Sequence, residues 1–159
     1  MADWGPSSVF SRGLIYDPGT GVTTRLGLGD RDTSMDSWGH SVVLLSDGRV
    51  LMAGGLFGDA TFTNTSGALF DPQTRTFTPT QDTNTSYEGS ALTLMPNGEV
   101  LMVGAWNSTR VDVFDPATLG WRTEGFLNLG RDSGRSATLL RNGDVLVVGA
   151  NTAEIYHRP

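Results

Sequence analysis

The chain has 159 residues, a net charge of −6, 21 glycines and no cysteine. An acidic chain is a poor match for a nucleic-acid surface, which needs a basic face. The lack of cysteine excludes disulfides, a thiol nucleophile and thiolate metal ligands. No apolar run reaches the roughly 18 residues of a membrane helix. Abundant glycine with only 18% charged residues suits a single, turn-rich β domain.

Residues 1–9 read as a lead-in with no basic or apolar signal-peptide region. Residues 12–17 and Val22–Leu26 read as two strands joined by the turn Asp17-Pro-Gly-Thr-Gly21. Residues 29–38 read as a polar connection, and residues 54–67 as a long loop. The clearest unit follows. Ser90–Met95 alternates, Asn97-Gly98 marks a hairpin of predicted type I′, and Glu99–Val103 is a nearly continuous apolar run. Arg110–Phe114 is the third strand of this unit. Asp115-Pro116-Ala117-Thr118 is a turn, and Trp121–Thr123 lies in the fourth strand. No stretch has a helical period.

This unit repeats. Asp47-Gly48, Asn97-Gly98 and Asn142-Gly143 stand 50 and 45 residues apart. Each precedes a twin strand: Arg49-Val-Leu-Met-Ala-Gly-Gly55, Glu99-Val-Leu-Met-Val-Gly-Ala105 and Asp144-Val-Leu-Val-Val-Gly-Ala150. A third-strand ending recurs as Leu14-Ile-Tyr-Asp-Pro18, Leu69-Phe-Asp-Pro72, Val113-Phe-Asp-Pro116 and a degraded Ile155-Tyr-His-Arg-Pro159. Four strands in 40–50 residues is the period of a propeller blade, which cannot bury its faces alone. The predicted fold is all-β, with about three four-stranded antiparallel blades: a half blade at 12–28, then blades near 39–80, 88–126 and 135–159.

The twin strands followed by Phe-Asp-Pro resemble the kelch repeat, especially its bacterial, galactose-oxidase-like branch, over residues 12–159. The resemblance implies a propeller scaffold that hosts enzymes, lectins and protein-binding modules alike. It also implies, for the oxidases, a copper centre of two tyrosines and two histidines, one tyrosine crosslinked to cysteine. This chain has no cysteine, and its tyrosines are Tyr16, Tyr87 and Tyr156. Two of these, with His40 and His157, fall on repeat-framework positions, so no copper, other metal or cofactor is expected and no catalytic residue is assigned. His40 opens a first strand, as Gly89 and Arg135 do. The acidic run Asp30–Asp36 lacks the frame of an EF-hand loop and reads as solvated.

Three blades do not close a ring, which takes about four or more. An open arc exposes faces and edges, so either the chain is a piece of a longer propeller or the ring closes between chains; for a chain stable as written, self-association is expected, most simply as a homodimer. In that arrangement Val22–Leu26 would complete the last blade. The short repeated turns share one face of the propeller; the variable loops share the other, where binding residues concentrate. The expected ligand-binding residues are Trp38, Phe57, Asp59, Tyr87, Trp106, Arg131 and Arg135. Phe77 and Trp121 read as packing between blades. The function expected from sequence is a non-enzymatic module that binds a protein segment or a carbohydrate. The alternatives are a self-assembling propeller fragment and the remnant of a galactose-oxidase-like enzyme. Asn64, Asn84 and Asn107 head Asn-x-Ser/Thr sequons that composition alone accounts for.

Overall fold

A computed structural model describes residues 13–26, 37–57, 62–63, 65, 67–83, 89–104, 108–130, 135–149 and 151–157. The described residues form strands and turns and no helix. The strands are β1 (Gly13–Asp17), β2 (Val22–Leu26), β3 (Ser37–Trp38), β4 (Ser41–Leu44), β5 (Val50–Ala53), β6 (Leu56–Phe57), β7 (Phe62–Thr63) and β8 (Gly67–Asp71). They continue as β9 (Thr76–Pro79), β10 (Ala91–Leu94), β11 (Val100–Val103), β12 (Arg110–Asp115), β13 (Gly120–Phe126), β14 (Ser136–Leu139), β15 (Val145–Gly149) and β16 (Thr152–Tyr156).

Three antiparallel meanders make the body. Blade A is β4-β5-β8-β9, blade B is β10-β11-β12-β13, and blade C is β14-β15-β16. β1 and β2 pair as a two-stranded sheet, the third and fourth strands of an incomplete blade. Among the described residues the blades follow one another side by side and close no ring. First strands are innermost: β10 neighbours both β4 and β14. The Ser41 hydroxyl donates to the Ser90 carbonyl, and the Thr93 hydroxyl donates to the Ala137 carbonyl at 2.6 Å.

The blades stack because their strands are apolar on both faces. All four residues of β11 are buried, as expected of a strand covered on both sides. Leu51 and Leu69 of blade A pack on Val100 and Phe114 of blade B. Leu101, Val103, Val111 and Val113 of blade B pack with Val145 and Val147 of blade C. Trp121 lies with its ring centroid 4.9 Å from that of Phe114 and packs on the clusters joining blades A and B. Its indole N–H reaches the Thr80 hydroxyl of blade A at 3.4 Å. Phe70 and Phe77 make the equivalent pair in blade A, at 4.8 Å.

Two local expectations change. The hairpin turns are three-residue loops and not two-residue type I′ turns. Gly48 N–H donates to the Leu45 carbonyl at 3.1 Å and Leu45 N–H to the Arg49 carbonyl at 2.8 Å; the same pair of bonds recurs at Met95 and at Leu140. Only the glycine has positive φ: 89° at Gly48, 86° at Gly98 and 92° at Gly143. Asp47, Asn97 and Asn142 instead accept the N–H two residues on, at 3.0, 3.3 and 3.2 Å. Their side chains, not a left-handed backbone, explain their selection.

The second change is a small sheet in place of part of the polar connection and the long loop. β3, β6 and β7 pair in the order β3-β6-β7. Gly54 and Gly55, with φ of 76° and 101°, turn the chain out of blade A into β6. Those angles favour glycine, and the pair had suggested only a loop.

Candidate functional site

The meander sends the hairpin turns and the Asp-Pro turns to one face. On that face Asp17 accepts from Gly19 N–H at 2.8 Å and from the Thr20 hydroxyl at 2.9 Å. Asp71 and Asp115 accept from Gln73 N–H and Ala117 N–H at 2.8 and 2.9 Å. These groups are committed to holding turns. The blade-to-blade connections and the second-to-third-strand loops leave from the opposite face, at the ends where the first strands begin.

The described part of that face is an axial rim. Strand register places His40, Ser90 and Arg135 at one repeat position, each preceding the first residue of its innermost strand. The counterpart of His40 is therefore Ser90 and not Gly89. Gly39 and Gly89 both have positive φ, 69° and 60°, and Gly89 N–H donates to the Gly39 carbonyl at 3.2 Å. Arg135 reaches back from blade C, and its Nη1 donates to the Gly89 carbonyl at 2.7 Å. Gly104, at the end of β11, makes room for it. A Cβ there would lie 2.7 Å from Arg135 Cδ, and one on Gly89 would lie 3.0 Å from Nη1. The guanidinium thus crosses from one blade to the next at the rim, half-buried, over two glycines.

The connections are clamped to their blades. Thr83 N–H and hydroxyl both donate to the Thr65 carbonyl, at 2.7 and 3.0 Å. The Glu154 carboxylate accepts from Asn128 N–H, Asn128 Nδ2 and Leu129 N–H, at 2.7, 2.9 and 3.2 Å. This carboxylate fixes the described connection at Asn128 and Leu129. Asp112, at the same repeat position as Glu154, is fully buried, and Arg110 Nε stands 2.9 Å from it. The Arg110 guanidinium also bonds the Thr123 hydroxyl. The signal for Asp112 was visible as a carboxylate within an otherwise apolar third strand, but sequence reasoning did not use it.

Of the expected binding residues, Arg135 has a described side chain. Trp38 and Phe57 are placed by backbone on β3 and β6, where Trp38 lies opposite Leu56 and Phe57 opposite Ser37. Asp59, Tyr87, Trp106 and Arg131 lie outside the described residues, as do Asp30–Asp36, Asn64, Asn84 and Asn107.

The described tyrosines and histidines are not gathered as the copper centre implied by the resemblance would need, and the sequence holds no cysteine to crosslink. Among the described residues no group of three or more His, Cys, Asp or Glu could hold a metal ion. Tyr16 and Tyr156 lie on β1 and β16, in the incomplete blade and the last blade. His40 stands at the rim of blade A, whereas His157 at the far end of the chain pairs with Asp144 at 3.1 Å and is largely exposed. Among the described residues no helix is long and apolar enough to cross a membrane.

No family model and no curated relative matches the chain. Solved structures do match. One is a fungal alcohol oxidase of the AA5 family, in complex with copper, superposing with a TM-score of 0.72 at 18% identity. The match covers 89% of this chain and 35% of that one, so this chain spans about a third of the oxidase's length. The likeness agrees with the galactose-oxidase-like branch at the level of fold. It also corrects the expectation of a chain outside enzyme chemistry: the blade arrangement found here is one that an oxidase uses.

Proposed function

We propose that residues 1–159 are a single kelch-type segment of a galactose-oxidase-like propeller. Its part is to hold a hydroxyl-rich ligand, a carbohydrate or small primary alcohol, at the axial rim of the loop-rich face.

The observation that carries this reading is Arg135, held across two blades at the rim. A guanidinium presents a planar fork of N–H donors, suited to the oxygens of a polyol. Trp38, Phe57, Tyr87 and Trp106 are the proposed aromatic contacts, and Asp59 and Arg131 the proposed polar ones. Aromatic faces with adjacent polar groups suit the alternating apolar and hydroxylated surface of a sugar better than they suit an acidic peptide.

Calorimetric titration with galactose, other monosaccharides and primary alcohols tests the reading. Wild-type protein should bind at least one of them. Arg135→Ala should weaken binding tenfold or more, and Arg135→Lys should recover part of the loss. Trp106→Ala should weaken it separately. Binding to acidic peptides alone, or sugar binding indifferent to Arg135→Ala, would reject it.

A further inference from the structure

Blade A has one face that is covered and one that is not. Leu51 and Leu69 of its covered face pack against blade B. On the other face Val42 is 57% exposed and Leu44 62% exposed. The equivalent residues of blade B are Leu92 and Leu94, which pack on the cluster containing Leu51 and Leu69. Val42 lies opposite Met52, and Leu44 opposite Val50, which in turn lies opposite Phe70. The Val42–Leu44 face therefore continues, by one repeat, the interface already formed between blades A and B.

The incomplete blade has the matching gap. β8 and β12, the third strands of blades A and B, are paired on both sides, by β5 and β9 and by β11 and β13. β1 occupies the same repeat position, and among the described residues it is paired with β2 alone. Ile15 of β1 corresponds to Leu69 and Val113, whose partners on the missing side are Leu51 and Leu101.

From these two observations we propose that the free edge of β1 and the Val42–Leu44 face form one docking site for a further inner hairpin. The occupant is an antiparallel strand pair of the kind seen in β4–β5, β10–β11 and β14–β15. It places a large aliphatic residue opposite Ile15 and lays that side chain on Val42 and Leu44. The last blade of a second copy is a poor occupant, because it brings β16 as its own third strand, and β16 would need the place β1 holds. The proposal rests on the repeat register and not on the ligand named above, so failure of sugar binding leaves it standing.

The probe is a synthetic peptide with the sequence of Ser90–Gly104, added to the full chain, with amide exchange read across β1. Exchange at Gly13–Asp17 should slow at least tenfold. The effect should vanish with a peptide carrying Leu101→Asp. It should also vanish in the Val42→Arg, Leu44→Arg protein, whose exposed positions leave the rest of the fold intact by circular dichroism. No slowing, or equal slowing in the double variant, overturns the proposal. So does slowing without peptide that grows with protein concentration alongside a doubled mass in light scattering, since a second copy would then be the occupant.

Discussion

β4 and β10 hold the same place in successive blades, and both read as apolar first strands. Yet Val42 and Leu44 are mostly exposed, whereas Leu92 and Leu94 are packed against the preceding blade. The third strands show the same contrast. Tyr16 and Phe114 share a repeat position, but Tyr16 is 62% exposed and Phe114 is fully buried. The local sequence is nearly constant, so the difference comes from the neighbour. In a repeat protein, burial belongs to the interface between units, and the repeat alone does not fix it.

The largest test of this contrast substitutes both aromatics. Phe114→Ala removes a buried ring from the contact between blades A and B and should cost about 3–5 kcal/mol by urea denaturation. Tyr16→Ala should stay within about 0.5 kcal/mol, as an exposed substitution does. Equal losses would mean that the incomplete blade is as well supported as blade B. A smaller effect is expected at the rim. Gly104 combines a φ of 72° with a Cβ position 2.7 Å from Arg135 Cδ, so Gly104→Ala should cost about 1–3 kcal/mol and displace Arg135. Gly48→Ala meets open space at a φ of 89°, so it should cost about 1–2 kcal/mol from the backbone alone. Ligand titration separates the two: only Gly104→Ala should weaken it.

The Asp-Pro turns support a third comparison. The fourth residue after the aspartate is left-handed in all three: Gly21 at 71°, Arg75 at 57° and Leu119 at 57°. Arg75 is exposed and gains nothing visible from that conformation, whereas Leu119 packs on the cluster between blades A and B. Arg75→Gly should therefore stabilise by up to about 1 kcal/mol, the strain relieved exceeding the entropy lost. Leu119→Gly should destabilise, because it deletes a packed side chain. Thermal melts of the two variants give opposite signs if the same backbone strain is set against different packing.

Much of the blade pattern was legible in the sequence. The paired turns fixed the register, so the strands of blades A, B and C fall where the repeat puts them. Trp121 packs between blades as its fourth-strand position implied. The pairing of β3 with β6 was not legible, because two-residue strands carry no alternation and the double glycine signals only a turn. The type of hairpin turn was misjudged because Asn-Gly and Asp-Gly serve two geometries, and only the hydrogen bonds of the following residue separate them. The rim was half legible: Arg135 stood out as a charge at a strand entrance, but its path over Gly104 depends on two blades packing together. The likeness to an oxidase lies in the blade arrangement, at 18% identity, and the copper donors named by the resemblance gave no sign of it.

The smallest expected effect compares the three hairpin turns in acid. Asp47 takes the place that Asn97 and Asn142 take in the sister turns. All three side chains accept the same backbone bond, but only Asp47 also pairs with a guanidinium, Arg49 at 2.8 Å. The Arg49 bonds hold the Asp47 carboxyl below the usual carboxylate range. A carboxylate depressed in the folded state contributes stability above its unfolded pKa, near about 4, and loses it as pH falls through the lower folded value. Both partners are substantially exposed, so the contribution at neutral pH is at most about 1 kcal/mol. Asp47→Asn keeps the turn and removes the charge. Urea midpoints should show wild type slightly ahead at pH 7, with the gap closing as pH falls below about 4. Asp17, held low by the Thr20 hydroxyl and Gly19 N–H, is present in both proteins and cancels from the difference. A gap independent of pH would mean that the backbone bond, shared by all three turns, carries the whole contribution and the ion pair none.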